Sequence, residues 1–253
     1  DVNGTSTLAL STTGAGTITR AANTGTVLIR GAGLGTATVL TLGKTNVVLA
    51  TAPTAIGQAG AAGAKSAAIL PWMIVDDSGI TGSGVSFGFN GSNGIRALAA
   101  GEMDTTFTAS NNILLNTTTA LTAGAAIASY AGTAATAYTS TNVNSLTFST
   151  ALNPTLTINS GRNVTLDSGG ILATVSSTIG AVGGGFINAA NASGATREII
   201  IHTAGGSTVL TINAALGGII APSTSGLTKS GNGTLILGAA QNNYTGQTRI
   251  NLG

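Results

Sequence analysis

The chain has 253 residues, 6% of them charged and 43% hydrophobic, with nine Lys and Arg against seven Asp and Glu for a formal net charge of +2. That balance excludes a disordered chain, which combines low hydrophobicity with high net charge. The scattered cations exclude the basic stripe a nucleic-acid binder needs, and the absence of cysteine excludes disulfide staples and thiolate metal sites.

Short runs of apolar or alternating character recur between glycines and asparagines and read as strands. In chain order they cover residues 5–10, 16–18, 26–29 and 39–42, then 145–148, 155–158, 163–166, 170–175, 198–202, 209–212 and 234–237. Residues 2–10 and 248–252 are the opening and closing strands. Threonine, valine and isoleucine suit a pleated surface, and the frequent glycines break any long helix. Many short strands favour stacked coils over a sandwich of about seven to nine longer ones. Asn159-Ser-Gly161, Asp167-Ser-Gly-Gly170 and Asn232-Gly233 offer corners where positive φ is needed.

The expected fold is therefore all-β: a right-handed parallel β-solenoid (β-helix) with one irregular loop-rich insertion. Residues 1–52 are read as N-terminal solenoid coils, 53–104 as the insertion or flap, and 105–253 as further coils. The insertion holds the only tryptophan, Trp72, the acid pair Asp76 and Asp77, a Gly/Ser/Phe stretch over 79–94, and an alanine-rich start over 59–68 compatible with a helical turn. It reads as a long loop or side flap held down by Trp72, Phe87 and Phe89.

The final segment, 226–253, reads GLTKSGNGTLILGAAQNNYTGQTRINLG. Through Gly226, Leu227, Thr228, Lys229, Gly231, Gly233, Thr234, Leu235, Leu237, Asn242, Tyr244, Thr245, Gly246, Thr248, Ile250, Asn251 and Gly253 it resembles the autotransporter-associated β-strand repeat. The spacing from Leu237 to Tyr244 is one residue longer than the commonest form, a difference a turn absorbs. Upstream, 144–148, 168–173 and 197–203 are similar to segments that precede that repeat, as more weakly are 68–72 and 94–98. The resemblance implies a long secreted or surface-displayed protein with a β-solenoid passenger, some members ending in an outer-membrane barrel. The residues alone give a compatible reading: Leu235 and Leu237 point inward, Thr234 and Ile236 outward, Gly231 and Gly233 turn the chain, and Tyr244 covers the next corner.

Chemistry is sparse. His202 is the only histidine, so a Ser-His-Asp triad would have to recruit Asp167 or Glu198, and alternation with Ile199 and Ile201 marks it instead as an exposed or satisfied strand residue. Polysaccharide cleavage needs two placed carboxyl groups, and the close acid pairs are Asp76 with Asp77 and Glu102 with Asp104. Either pair could help hold calcium, although no EF-hand or nonapeptide calcium repeat is present. Gly31-Ala-Gly-Leu-Gly35 reads as a turn, since the spacing and following helix of a dinucleotide fingerprint are missing. Thr-x-Thr pairs at Thr5, Thr17, Thr36 and Thr155 raise ice binding, but their sequence spacing is irregular.

No catalytic, cofactor or metal residue is assigned. The expected function is a non-enzymatic extracellular or bacterial cell-surface scaffold: a stalk, adhesin passenger or filament subunit. Its expected partners are further copies or repeats stacked head-to-tail, and surface glycans, with no nucleic acid. The alternative is a carbohydrate-binding or polysaccharide-cleaving β-helix with a platform near Trp72 and Asp76. The longest low-charge region, 46–64, is diluted by Gly, Thr, Pro and Gln, so no membrane-spanning helix is expected. Asp1 follows no basic or apolar leader, which reads as a mature chain.

Overall fold

The structure is a computed structural model that describes residues 6–10, 18–36, 43–78, 84–116, 139–149, 153–158, 162–181, 183–191, 195–217 and 224–252. The expected strand over 39–42 and the corner over 159–161 lie outside these residues. The chain is all-β with several parallel sheets. Its strands are β1 (Ser6–Leu10), β2 (Val27–Arg30), β3 (Thr45–Leu49), β4 (Leu70–Asp76), β5 (Val85–Gly91), β6 (Gly94–Ala97), β7 (Asn112–Leu115), β8 (Thr139–Phe148) and β9 (Thr155–Ile158). There follow β10 (Arg162–Ala173), β11 (Ser177–Ala181), β12 (Phe186–Ala189), β13 (Arg197–Thr203), β14 (Val209–Ile212), β15 (Ala215–Leu216), β16 (Thr224–Ser230), β17 (Thr234–Leu237) and β18 (Thr248–Ile250).

From β7 onward every strand pairing is parallel, and side chains on successive strands fall into files. One file runs Ile113, Leu146, Ile171, Ile201. A second runs Leu156, Ile179, Ile212, Leu237, and a third Val164, Ile187, Leu216. All three converge on one hydrophobic core, with Leu237 only partly buried. Alternation explains this: Leu156, Ile158, Leu210 and Ile212 are buried while Thr155, Thr157, Val209 and Thr211 stay half-buried on the other face. Each fully buried aliphatic side chain contributes about 1.5–3 kcal/mol.

The corner expected over 167–170 is a register shift inside β10, between Leu166 and Gly170. Gly169 has φ +79°, and a Cβ there would lie 2.0 Å from the Glu198 carbonyl oxygen, so glycine is required both for its dihedral and for the close approach of β13. The corner near Asn232 is built the same way around Gly231, with φ +82°.

Residues 53–104 depart from the expected irregular loop. They carry β4, β5 and β6, which join β2 in a four-stranded sheet of order β2-β4-β5-β6. β2 pairs β4 in parallel, while β4 with β5 and β5 with β6 are antiparallel. β4 is buried along its whole length, so it shows no polar alternation to betray it, and Pro71 sits where its register with β5 shifts. The alanine-rich start forms turns and isolated bridges, Ile56 to Ile69 and Gly60 to Ala67, instead of a helical turn.

This flap covers the outer face of β10 and β13. Leu172 packs with Ile69, Ile74, Phe87 and Leu98, and Ile200 with Leu70, Trp72, Met73 and Val75. Gly170 allows the contact, since a Cβ there would come within 2.9 Å of the Phe87 ring. Phe89 is only partly buried and stacks under the Arg96 guanidinium, 4.2 Å from the ring centroid. The flap also covers the free edge of β7: Asn112 N–H donates to the Lys65 carbonyl (2.8 Å) and Leu114 N–H to the Asp104 carbonyl (2.8 Å). No helix among the described residues is long and apolar enough to cross a membrane.

Candidate functional site

The polar side chains singled out by sequence converge on the seam between flap and parallel sheets. At its base two buried asparagines substitute for backbone pairing. Asn112 Nδ2 donates to the carbonyls of Lys65 and Ala67 (both 3.0 Å), and Asn144 Nδ2 to Ala67 O and Asn112 Oδ1 (both 2.8 Å). Asn144 Oδ1 accepts the Gln58 N–H at 2.9 Å, so side chains of β7 and β8 satisfy the Gln58 N–H and the Lys65 and Ala67 carbonyls of the irregular stretch over 58–67.

In the two candidate calcium pairs Asp76, Glu102 and Asp104 are each turned to partners of their own. Asp76 accepts from Arg30 Nε (2.7 Å) and from the Ser78 hydroxyl and N–H, while Asp77 lies at the β5 side of the turn, against Gly84. Glu102 takes a fork from Arg96 (2.6 Å to each oxygen) together with the N–H groups of Ala99 and Gly63. Burial works to raise its pKa, but these donors outweigh it and hold the carboxyl at about 2. Asp104 bonds Lys65 Nζ (2.9 Å), Asn111 Nδ2 (2.7 Å) and the Thr106 N–H; burial again opposes, and the donors again win, holding it well below the carboxylate range. Among the described residues no group of three or more His, Cys, Asp or Glu could hold a metal ion.

His202 and its two candidate triad partners are not brought together. His202 is fully buried beneath the flap, with Nε2 2.7 Å from the Pro71 carbonyl, Nδ1 without a partner, and its ring edge-on to Phe87 at a centroid distance of 6.0 Å. With the carbonyl as acceptor Nε2 carries the proton, and burial depresses the pKa to about 4. Glu198 is forked by Arg20 (2.9 and 2.8 Å) and also accepts from the Asn23 N–H (2.7 Å) and the Thr228 hydroxyl. Burial raises its pKa, but these donors bring it below the ordinary value. Asp167 is buried with one oxygen on Gln58 Nε2 and the other unpartnered, and burial pushes its pKa up against the pull of Gln58 and Arg197.

Comparison with family models, with curated proteins and with solved structures finds no match.

Two concavities flank the seam. A cleft of about 180 Å³ is bounded by Arg20, Trp72, Ser168, Thr196, Arg197 and Glu198. A wider groove of about 470 Å³ runs between Val27, Leu28 and Ile74 on the flap and Ala204, Ser207 and Thr208 on the corner beyond β13. Of the threonines considered for ice binding, Thr155 heads one outward file with Thr178 and Thr211, irregular in sequence yet aligned across β9, β11 and β14. Thr36 instead bonds the Gly33 carbonyl in a turn, so the Gly31–Gly35 stretch is the turn its sequence indicates.

Sequence reasoning passed over Arg20, Arg197, Asn112, Asn144 and Gln58. The partners of Arg20, Asn112, Asn144 and Gln58 lie far off along the chain, as with Arg20 and Glu198, and only the fold joins them, while Arg197 has no hydrogen-bond partner among the described residues. Lys229 was read as part of a motif. Its ammonium occupies the file position after Ile201 and is held by the carbonyls of Gly231, Gly233 (2.6 Å) and Leu252 (2.7 Å), a cation satisfied without any carboxylate.

Proposed function

We propose that the chain is a right-handed parallel β-solenoid serving as a non-enzymatic structural scaffold at a bacterial surface or outside the cell, as a stalk or adhesin passenger. The observation that carries this reading is the set of in-register aliphatic files, which make each strand a template for the next. Right-handedness follows from the strong preference of parallel crossovers. The extracellular setting rests on the resemblance of 226–253 to the autotransporter-associated repeat and on a chain without cysteine. Asp76, Glu102 and Asp104 are bonded within the flap and its sheet, and Asp167 and Glu198 take donors from Gln58 and Arg20, which suits a role in holding the fold together.

The reading extends to assembly. Among the described residues, β17 and β18 each have a strand neighbour on one side only, and the side chains there are uncovered: Leu235 and Leu237 are partly buried, Ile236 is 46% exposed and Ile250 69% exposed. Ile250 stands in the same file as Lys229 and Ile201, so a further coil would bury it. The β7 edge is already bonded to the flap, which leaves the β17/β18 edge as the growing face for further repeats or for another copy stacked on this one. Sedimentation and electron microscopy of the purified chain test this. Oligomers or filaments that Ile250→Pro abolishes are the expected result, because proline removes a ladder donor. A monodisperse monomer at high concentration is the contrary one.

A further inference from the structure

The cleft beside Trp72 is lined by a guanidinium whose Nε has no hydrogen-bond acceptor. Arg20, on one wall, is neutralised by its fork onto Glu198. Arg197 lines the same cleft; its charge acts on Asp167 through space, but it forms no hydrogen bond with any described residue, and its Nε is buried without an acceptor. A guanidinium is the side chain best shaped to take a carboxylate through two parallel hydrogen bonds. The remainder of the wall divides into an apolar part, Ile56, Trp72 and Ile200, and a hydroxyl, Thr196, which is exposed at the rim. At about 180 Å³ the space lies below the range of drug-sized pockets, so it suits one small ring and not an oligomer buried end to end.

We propose that this cleft binds a single acidic sugar unit, a hexuronate, with its carboxylate on Arg197, its C–H face against Trp72 and Ile200, and a ring hydroxyl on Thr196. A terminal uronate of an acidic surface polysaccharide presents this chemistry, and so does the free sugar. The binding is non-covalent and uses none of the strand edges that stacking would occupy, so the site stands whether or not copies of the chain stack.

Trp72 is the only tryptophan, and its fluorescence therefore reports occupancy of this cleft directly. Glucuronate, glucose and acetate form a matched set of probes: ring with carboxylate, ring alone, carboxylate alone. Glucuronate is expected to give a saturable change with a dissociation constant on the order of 1 mM. Glucose and acetate should bind at least about tenfold more weakly, the loss associated with one charge-assisted contact. Arg197→Gln should weaken glucuronate by a similar factor and leave glucose unchanged, with the fold retained because the side chain it replaces donates no hydrogen bond within the described residues. Arg197→Lys keeps the charge and should retain part of the affinity. A glucuronate-capped oligosaccharide that binds as well as the free sugar identifies a chain terminus as the ligand, and one that fails to bind identifies the free sugar. No saturable response to glucuronate, an equal response to glucose, or undiminished binding by Arg197→Gln overturns the assignment.

Discussion

Ile201→Ala is expected to lower the stability of the chain by about 2–5 kcal/mol, whereas Thr211→Ala should change it by no more than about 0.5 kcal/mol. Ile201 is fully buried and lies in the file between Ile171 and Lys229, where neighbours on both sides are fixed by backbone pairing. A cavity at that position cannot collapse without breaking the parallel register. Thr211 belongs to a comparable strand but faces outward, half-buried, in the file with Thr178. Denaturant unfolding of the two variants checks the inward and outward assignment, and equal losses would place the alternation in error.

The second large effect is acid sensitivity centred on His202. Its pKa falls from 6.5 in the unfolded chain to about 4 in the folded one, because burial disfavours the imidazolium and the Arg20 charge adds to that, while the Pro71 carbonyl opposes it. The folded state therefore binds the proton less readily than the unfolded state. Stability from this group is fully present above pH 6.5 and is lost as pH falls through that value towards 4, to a total of roughly 3 kcal/mol. Glu102, depressed from 4.5 to about 2, adds a further loss only below pH 4.5. Asp167, raised by burial, has the opposite sign. Unfolding free energies measured from pH 7 to 4.5 for the wild type and His202→Phe isolate the histidine, since both carboxyls are common to the two proteins. The wild type should lose stability over this interval relative to the variant, and parallel curves would show that the imidazole is not held neutral beneath the flap.

The legible part of the fold was the part with threonine on one face. Residues 155–158, 209–212 and 234–237 read as strands because a β-branched residue, most often threonine, alternates with leucine or isoleucine, and they are β9, β14 and β17. β4 was missed because burial on both faces removes the alternation and Pro71 suggests a break. His202 was placed on the face opposite Ile199 and Ile201, as found, yet its burial comes from Pro71 and Phe87, more than a hundred residues earlier in sequence. The acid pairs were adjacent in sequence, but Arg96 and Lys65 draw Glu102 and Asp104 to different partners. Trp72 was singled out correctly as a packing residue, while the Arg197 guanidinium that lines the same cleft carries no sequence signature.

The most direct test of the in-register parallel stack uses the chain's lack of cysteine. Thr178 and Thr211 are Cα partners on the adjacent parallel strands β11 and β14. Neighbouring strands lie about 4.8 Å apart, within the roughly 4.4–6.8 Å that a disulfide spans between Cα atoms. The double variant Thr178→Cys, Thr211→Cys should therefore close an intramolecular disulfide under mild oxidation, seen as the loss of two free thiols from a monomer. Thr178→Cys with Ile212→Cys, shifted by one residue so that one thiol points into the core, should remain reduced. A reduced first pair, or equal closure of both, would contradict the parallel register on which the account rests.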